Sequence, residues 1–161
     1  MAAYETSLQL AKMGIKTQGI LLIDSPSPIN HVPLSDALIE SVVNLDSRSA
    51  NSDLGRLVKA QFAMNARMLG KYDPYATGGT CPPLVLLRSS EGFNPSGVSN
   101  VPIWLADRSD PSIATAGWDS LASQPLQVLD IPGHHFTPFY PANVSIGIHL
   151  LNDQYLTLST G

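Results

Sequence analysis

Three short apolar runs along the chain predict buried β-strands. They lie at residues 19–24, where four aliphatic residues end on a carboxylate, at residues 84–87 and at residues 126–131. A run that is continuously apolar, rather than alternating with polar residues, is typical of a strand buried on both faces of a parallel sheet. The segments between the runs are rich in proline, glycine and serine, which predicts loops.

Apolar residues at helical spacing surround these strands. Residues 2–13 carry Tyr4 and Leu8 on one face, and Gly14 is typical of a helix end. A closing helix is predicted from about Asn143. The short apolar segment at residues 103–106 is ambiguous between helix and strand. Alternating helices and strands indicate an α/β fold, a mostly parallel sheet with flanking helices.

The segment between the first two strands, residues 29–73, is predicted to be mainly helical. Ser35 can cap one helix, and a longer helix runs from residue 54 to residue 72 after a polar loop at 46–53. The apolar stripe of the longer helix is wide and favours either core packing or a helix pair that packs on itself, although flexible methionines would also suit a lid over an apolar substrate channel. Its members are Leu57, Val58, Phe62, Met64, Met68 and Leu69.

Composition narrows the class of protein. Of 161 residues, 43% are hydrophobic and 14% are charged, which fits one folded domain. The formal net charge is −4 without a basic run, so nucleic acid is not an expected partner. No membrane span or secretory signal is visible. The single cysteine, Cys81, excludes an intramolecular disulfide and fits a reducing compartment, so we expect a cytoplasmic protein.

Two ionisable groups follow buried strands, at the point where each strand ends. Asp24 follows the first strand, and His134 and His135 follow the last. An aspartate before Ser-Pro is also ordinary turn chemistry. However, the carboxyl ends of parallel strands meet at one edge of the sheet, and a carboxylate that orients an imidazole is part of a nucleophile–histidine–acid relay. No metal and no cofactor are expected.

Four motifs, in order, carry a resemblance to a known family. They are Ala3-Tyr4-Glu5, Leu22-Ile23-Asp24-Ser25-Pro26, Gly117-Trp118-Asp119 and Gly133-His134-His135-Phe136. Together they resemble the C-terminal thioesterase/cyclase domain of fungal iterative, non-reducing polyketide synthases, a member of the α/β-hydrolase superfamily. The resemblance runs along about residues 2–150.

The resemblance implies roles for individual residues. Asp24 would be the triad acid and His135 the triad base, and residues 29–73 would form a helical lid over the site. Candidate residues for a substrate pocket are His134, Phe62, Met68 and Trp118. The substrate would be an acyl thioester or polyketide, which an acyl carrier protein can deliver.

One departure concerns the nucleophile. In the family, a Gly-x-Ser-x-Gly elbow stands directly before the Ala-Tyr-Glu helix, which would place its serine upstream of Met1, and the motif does not occur in this sequence. We therefore expect residues 1–161 to be a single, truncated thioesterase-like domain with a partial α/β-hydrolase fold. Ser25 and Ser27 are not expected to replace the serine, because the glycines of an elbow are missing there, and neither is Cys81, because it precedes a strand and so lies at the wrong edge of the sheet. A second departure is His134, which stands where the family has Asp or Asn.

Three functions are compatible with these observations. The chain could be a thioesterase-like hydrolase or cyclase whose serine comes from elsewhere. It could be a non-covalent general-base cyclase in which Asp24 and His135 act on a released polyketide. It could be a non-catalytic remnant or scaffold that binds a polyketide synthase. The family's sheet order would also leave the strand at 19–24 at an exposed edge, which predicts a homo-oligomer, docking to a synthase, or a rearrangement.

Overall fold

The computed structural model describes residues 1–29, 31–45 and 53–145. Its strands are β1 (Ile20–Ile23), β2 (Leu84–Ser89) and β3 (Gln127–Ile131). They pair in the order β1-β2-β3, and both pairs are parallel, with Leu22 opposite Leu86 and Leu86 opposite Val128. The predicted α/β class and the parallel sheet are therefore confirmed.

The helices follow the predicted order. They are α1 (Ala2–Lys12), α2 (Asp36–Val43), α3 (Asp53–Leu69) and α4 (Ile103–Ala106). The sequence pattern left the short α4 undecided. Most of the polar loop predicted at 46–53 lies outside the described residues, and of the closing helix only residues 141–145 are described, as helix. The helices α2 and α3 occupy the segment between β1 and β2, and their role as a lid stays a prediction.

Local sequence signals explain where the helices begin and end. After α1, Gly14 adopts a φ of +77°, and the N–H of Ile15 donates to the Leu10 carbonyl at 2.9 Å. This geometry closes the helix, and glycine accommodates its left-handed residue without strain. At the start of α2, the Ser35 hydroxyl accepts a hydrogen bond from the Leu38 N–H at 3.3 Å, as its predicted capping role requires.

The main core lies where α1 meets the sheet. Trp118 is fully buried, packs against Tyr4 at a ring-centroid distance of 5.7 Å, and donates its indole N–H to the Ser25 carbonyl at 2.6 Å. This hydrogen bond ties the turn after β1 to the core. The other buried members of the cluster are Leu8, Ile20, Leu22, Cys81, Leu84, Leu86 and Leu121.

Of the two expectations for the wide stripe of α3, packing into the core is wrong, whereas packing within the helix pair agrees with the structure. Leu57 is 67% exposed and Met68 is 51% exposed, and the only buried residue within α3 is Gly55. The reason is that α3 packs mainly against α2, where Lys59 pairs with Glu40, while the core against the sheet is formed largely with α1.

Among the described residues, β1 lies at one edge of the sheet, and Leu21 on it is 41% exposed. This placement agrees with the expected edge strand, whereas association through it stays a prediction. No helix in the described ranges is long and apolar enough to cross a membrane.

Candidate active site

The parallel sheet brings the predicted acid and base to one edge. Asp24 follows β1, and the loop that carries His135 follows β3. Ser89, the last residue of β2, lies between them. Since parallel strands all end at the same edge, residues distant in sequence become neighbours here.

Asp24 has an unusual backbone conformation that directs its side chain. Its N–H donates to the Leu87 carbonyl at 2.7 Å, which continues the β1–β2 pairing, and its φ is +43°. Aspartate tolerates this left-handed region better than most residues with a side chain, because its short polar group can bond locally. The chain turns sharply at this residue, and the carboxylate is left almost completely buried, at 3% exposure.

The carboxylate of Asp24 contacts the imidazole of His135. His135 Nδ1 lies 2.9 Å from Asp24 Oδ2. An ionised carboxylate can only accept, so this contact places the proton of the neutral imidazole on Nδ1 and leaves the lone pair on Nε2. Within the described part of the chain, nothing is hydrogen-bonded to Nε2. Trp104 and Phe136 pack against the imidazole ring, at centroid distances of 5.1 and 4.8 Å.

Two further donors hold the Asp24 carboxylate. The Ser89 N–H donates to Oδ1 at 2.8 Å, and the Arg108 guanidinium donates to Oδ1 at 3.1 Å and to Oδ2 at 2.7 Å. Burial on its own would raise the pKa of Asp24, but the hydrogen bond from His135, the Arg108 charge and the Ser89 amide together hold that pKa below its ordinary value of 3.8. Asp24 is therefore ionised at neutral pH.

The lowered pKa of Asp24 predicts a loss of stability in acid. A carboxylate whose pKa is lower in the folded chain than in the unfolded chain contributes stability above its unfolded pKa, and this stability is lost as the pH falls through the folded value. We expect the free energy of unfolding, measured by urea denaturation, to fall between about pH 5 and about pH 3. The slope should be shallower in Asp24→Asn, and an identical slope in both proteins would contradict the assignment.

The loop that carries His135 is shaped by its neighbour His134. The His134 N–H donates to Thr137 Oγ1 at 2.9 Å, and His134 Nδ1 faces the N–H of Phe136 at 3.3 Å. Its ring packs against Phe93 at a centroid distance of 4.9 Å. Burial lowers the pKa of His134, which keeps Nδ1 available as an acceptor. The geometry gives His134 a role in forming the loop.

A cleft of about 260 Å³ opens at the turn that follows β1, and neither Asp24 nor His135 lines it. Its walls come from the start of α1, from the turn after β1 and from α3; they are Met1, Ser25, Pro26, Ser27, His31, Asn65, Met68 and Leu69. Of the candidate pocket residues, only Met68 lines this cleft. Phe62 is half-buried elsewhere on α3, Trp118 lies in the core behind Ser25, and His134 lies in the loop after β3.

Two members of the site were not predicted from the sequence. Arg108 stands 84 residues from Asp24, in a polar segment without a motif, so no local pattern reveals the pairing. Ser89 contributes a backbone N–H, which carries no side-chain signal at all. Across the described residues, no group of three or more His, Cys, Asp or Glu side chains is arranged to hold a metal ion.

Several known proteins are similar to this chain, although no protein-family model matches it. The orsellinic acid synthase ArmB of Armillaria ostoyae is 35% identical over 142 residues, which cover 86% of this chain and 6% of the synthase. An orsellinic acid synthase of Beauveria bassiana is 33% identical over 177 residues, covering 90% of this chain and 8% of that protein. The chain thus spans less than a tenth of the length of these relatives.

Solved structures give the fold. The thioesterase domain SrfTE, which cyclises the lipopeptide surfactin, superposes with a TM-score of 0.58 at 20% identity, over 94% of this chain and 63% of that one. The Vlm2 thioesterase domain gives a TM-score of 0.52 at 20% identity, over 94% of this chain and 58% of that one. Together with the polyketide synthase relatives, these likenesses confirm the resemblance found in the motifs. The chain is therefore similar in sequence to a short segment of fungal polyketide synthases, and it has the fold of the thioesterase domains on which it superposes.

Proposed function

We propose that this chain supplies the acid and the base for a thioesterase-like reaction that releases or cyclises a polyketide acyl thioester. The observation that carries the proposal is the 2.9 Å contact between His135 Nδ1 and Asp24 Oδ2 at the end of the sheet, with Nε2 left free to take a proton. The synthase relatives, named for orsellinic acid, support a polyketide acyl group, which an acyl carrier protein would deliver.

The geometry supports the following chemistry. A hydroxyl nucleophile attacks the thioester carbonyl while Nε2 of His135 takes its proton, and Asp24 stabilises the resulting imidazolium. The tetrahedral intermediate then collapses, the carbon–sulfur bond breaks, and the thiolate leaves with the proton returned by His135. The cleft at the turn after β1 suits a carbon chain that carries oxygen functions. Its apolar lining includes Met68, Leu69 and Pro26, and its polar lining includes Ser25 and Asn65.

The nucleophile is proposed to lie outside the 161 residues of this sequence. No Gly-x-Ser-x-Gly occurs in it, and burial raises the pKa of Cys81, which makes that thiol a poor nucleophile. A second candidate function follows from the same observation. A complete Asp24–His135 pair without a serine elbow can act as a general base on water or on a hydroxyl of the substrate, without a covalent intermediate.

The test is thiol release from an acetoacetyl thioester of N-acetylcysteamine, with ethanol in excess as an external nucleophile. General-base catalysis contributes on the order of 10²–10⁴-fold, so the wild-type chain should release thiol faster than His135→Ala by about that factor. His134→Asn is the matched control, because the Asn side chain can accept the Phe136 N–H; it should retain the wild-type rate. Equal rates in wild type and His135→Ala would refute the proposal and leave a non-catalytic scaffold.

A further inference from the structure

An ion pair behind the base stands out from the rest of the site. The side chains of Arg108 and Asp24 are only 7% and 2% exposed. Burying an arginine and an aspartate is unfavourable unless the two are paired and hydrogen-bonded to each other. Even so, Arg108 Nε is buried without a hydrogen-bond partner among the described residues. Asp24 and His135 can form the hydrogen bond between them without this arginine.

We propose that Arg108 is a positioning residue, which orients the Asp24 carboxylate toward His135 and supplies the counter-charge that the buried carboxylate needs. The inference rests on the proposed function, in which His135 is the base and Asp24 the acid.

The orientation follows from how three groups, through four hydrogen bonds, share the two oxygens of the carboxylate. Oδ1 accepts from the Ser89 N–H and from Arg108, and Oδ2 accepts from His135 and from Arg108. Arg108 is the only one of these groups that contacts both oxygens. Its planar fork matches the plane of the carboxylate, so rotation of the carboxylate away from His135 would break two charged hydrogen bonds at once.

The position of Arg108 is itself fixed by its loop. The Asp107 N–H closes the end of α4 on the Ile103 carbonyl at 3.0 Å, and the Asp107 carboxylate then accepts from the Ser109 N–H at 2.8 Å. The loop before α4 is held as well, because the Phe93 N–H donates to the Leu105 carbonyl at 2.7 Å. Because the backbone on both sides of Arg108 is held in this way, its side chain is pre-organised to orient Asp24.

The charges around the imidazole determine its protonation. Asp24 contacts the imidazole and Arg108 contacts Asp24, while His134 precedes His135 in the chain and Glu91, in the loop after β2, acts electrostatically on His134; the rings of Trp104 and Phe136 carry no charge. With Arg108 present, the buried carboxylate already has a cation. Without Arg108, the His135 imidazolium would be the only cation in contact with that carboxylate, and protonation of the ring would become more favourable.

The test follows the His135 side chain by ¹⁵N–¹H NMR during a pH titration of the wild type and three variants. In Arg108→Met we expect the His135 titration midpoint to move to higher pH by about 1–2 pH units. Arg108→Lys keeps the charge but not the fork, so its midpoint should move less. Arg88→Met is the matched control, because Arg88 forms a similar two-point pair with Asp130 away from the site; it should leave the midpoint unchanged.

An unchanged midpoint in folded Arg108→Met would overturn the inference. If Arg108→Met does not fold, Arg108→Lys is the deciding variant. Losing the contact with both oxygens of Asp24 should move the His135 Nδ1 proton resonance upfield. An unmoved resonance in the folded protein would overturn the orienting role. The NMR signals report on the imidazole itself, so a chain that shows these shifts without releasing thiol would refute the proposed function and leave this inference standing.

Discussion

Asp24→Asn is expected to lower the free energy of unfolding by about 3–5 kcal/mol, as found when one partner of a buried ion pair is removed. The reason is that Arg108, which is almost fully buried, is left without its counter-charge. Asparagine tolerates the positive φ of +43° at this position nearly as well as aspartate, so the change removes the charge and leaves the backbone conformation accessible. Urea denaturation at pH 7, followed by circular dichroism, measures the difference.

An ion pair between two strands of the sheet provides the control. Arg88 on β2 contacts both oxygens of Asp130 on β3, as Arg108 does with Asp24, but the Asp130 side chain is 55% exposed. Exposed ion pairs contribute about 1 kcal/mol or less, so Asp130→Asn should lower the free energy of unfolding by no more than that. Equal losses in Asp130→Asn and Asp24→Asn would mean that burial does not increase the contribution of the Asp24–Arg108 pair to the free energy of unfolding.

Gly133→Ala is expected to have the second largest effect, because it displaces the loop that carries His135. Gly133 has a φ of +85°, and a β-carbon there would lie 2.5 Å from both Asn143 Nδ2 and Thr137 Oγ1. Alanine at such a φ costs roughly 1–2 kcal/mol, and the clash must also be relieved. Misplacement by about 1 Å can lower a catalytic rate on the order of 10²-fold, so thiol release should fall by about that factor.

Gly97→Ala is the control that introduces backbone strain without displacing the loop after β3. Gly97 has a similar φ of +78°, but a β-carbon there would meet no atom within 4 Å. This variant should lose about the same 1–2 kcal/mol of stability from strain and keep the wild-type rate of thiol release. A Gly133→Ala protein with no greater loss of rate than Gly97→Ala would contradict the role assigned to the loop after β3.

The sequence was sufficient to predict the sheet and the meeting of Asp24 with a histidine at one of its edges. Continuous apolar runs mark strands that are buried on both faces, and a parallel sheet places the residues that follow them at one edge. Asp24 could therefore be placed near His134 and His135, although Asp24 and His135 stand 111 residues apart, and the family resemblance pointed to His135 as its partner. The wide stripe on α3 left core packing and helix-pair packing open, because the spacing of apolar residues gives the face of a helix but not what covers it.

Arg108 could not be predicted by the same reasoning. Its partner depends on the path of the loop after α4, which is fixed by backbone hydrogen bonds to distant segments, such as the one from Phe93 to Leu105. A polar segment rich in charges is usually exposed to solvent, and nothing in its pattern distinguishes the one arginine that is buried. Trp118 was predicted to line a pocket, and the structure places it in the core with its indole N–H on the Ser25 carbonyl.

The most direct test of the central claim uses a substrate carried on a protein. An acyl carrier protein loaded with an acetoacetyl group is incubated with the wild-type chain and with His135→Ala, with ethanol in excess, and the intact mass of the carrier is followed over time. If His135 is the base that acts on a polyketide thioester, the carrier loses its acyl mass with the wild type on the order of 10²–10⁴-fold faster than with His135→Ala. An acyl group that persists equally with both proteins would contradict the account.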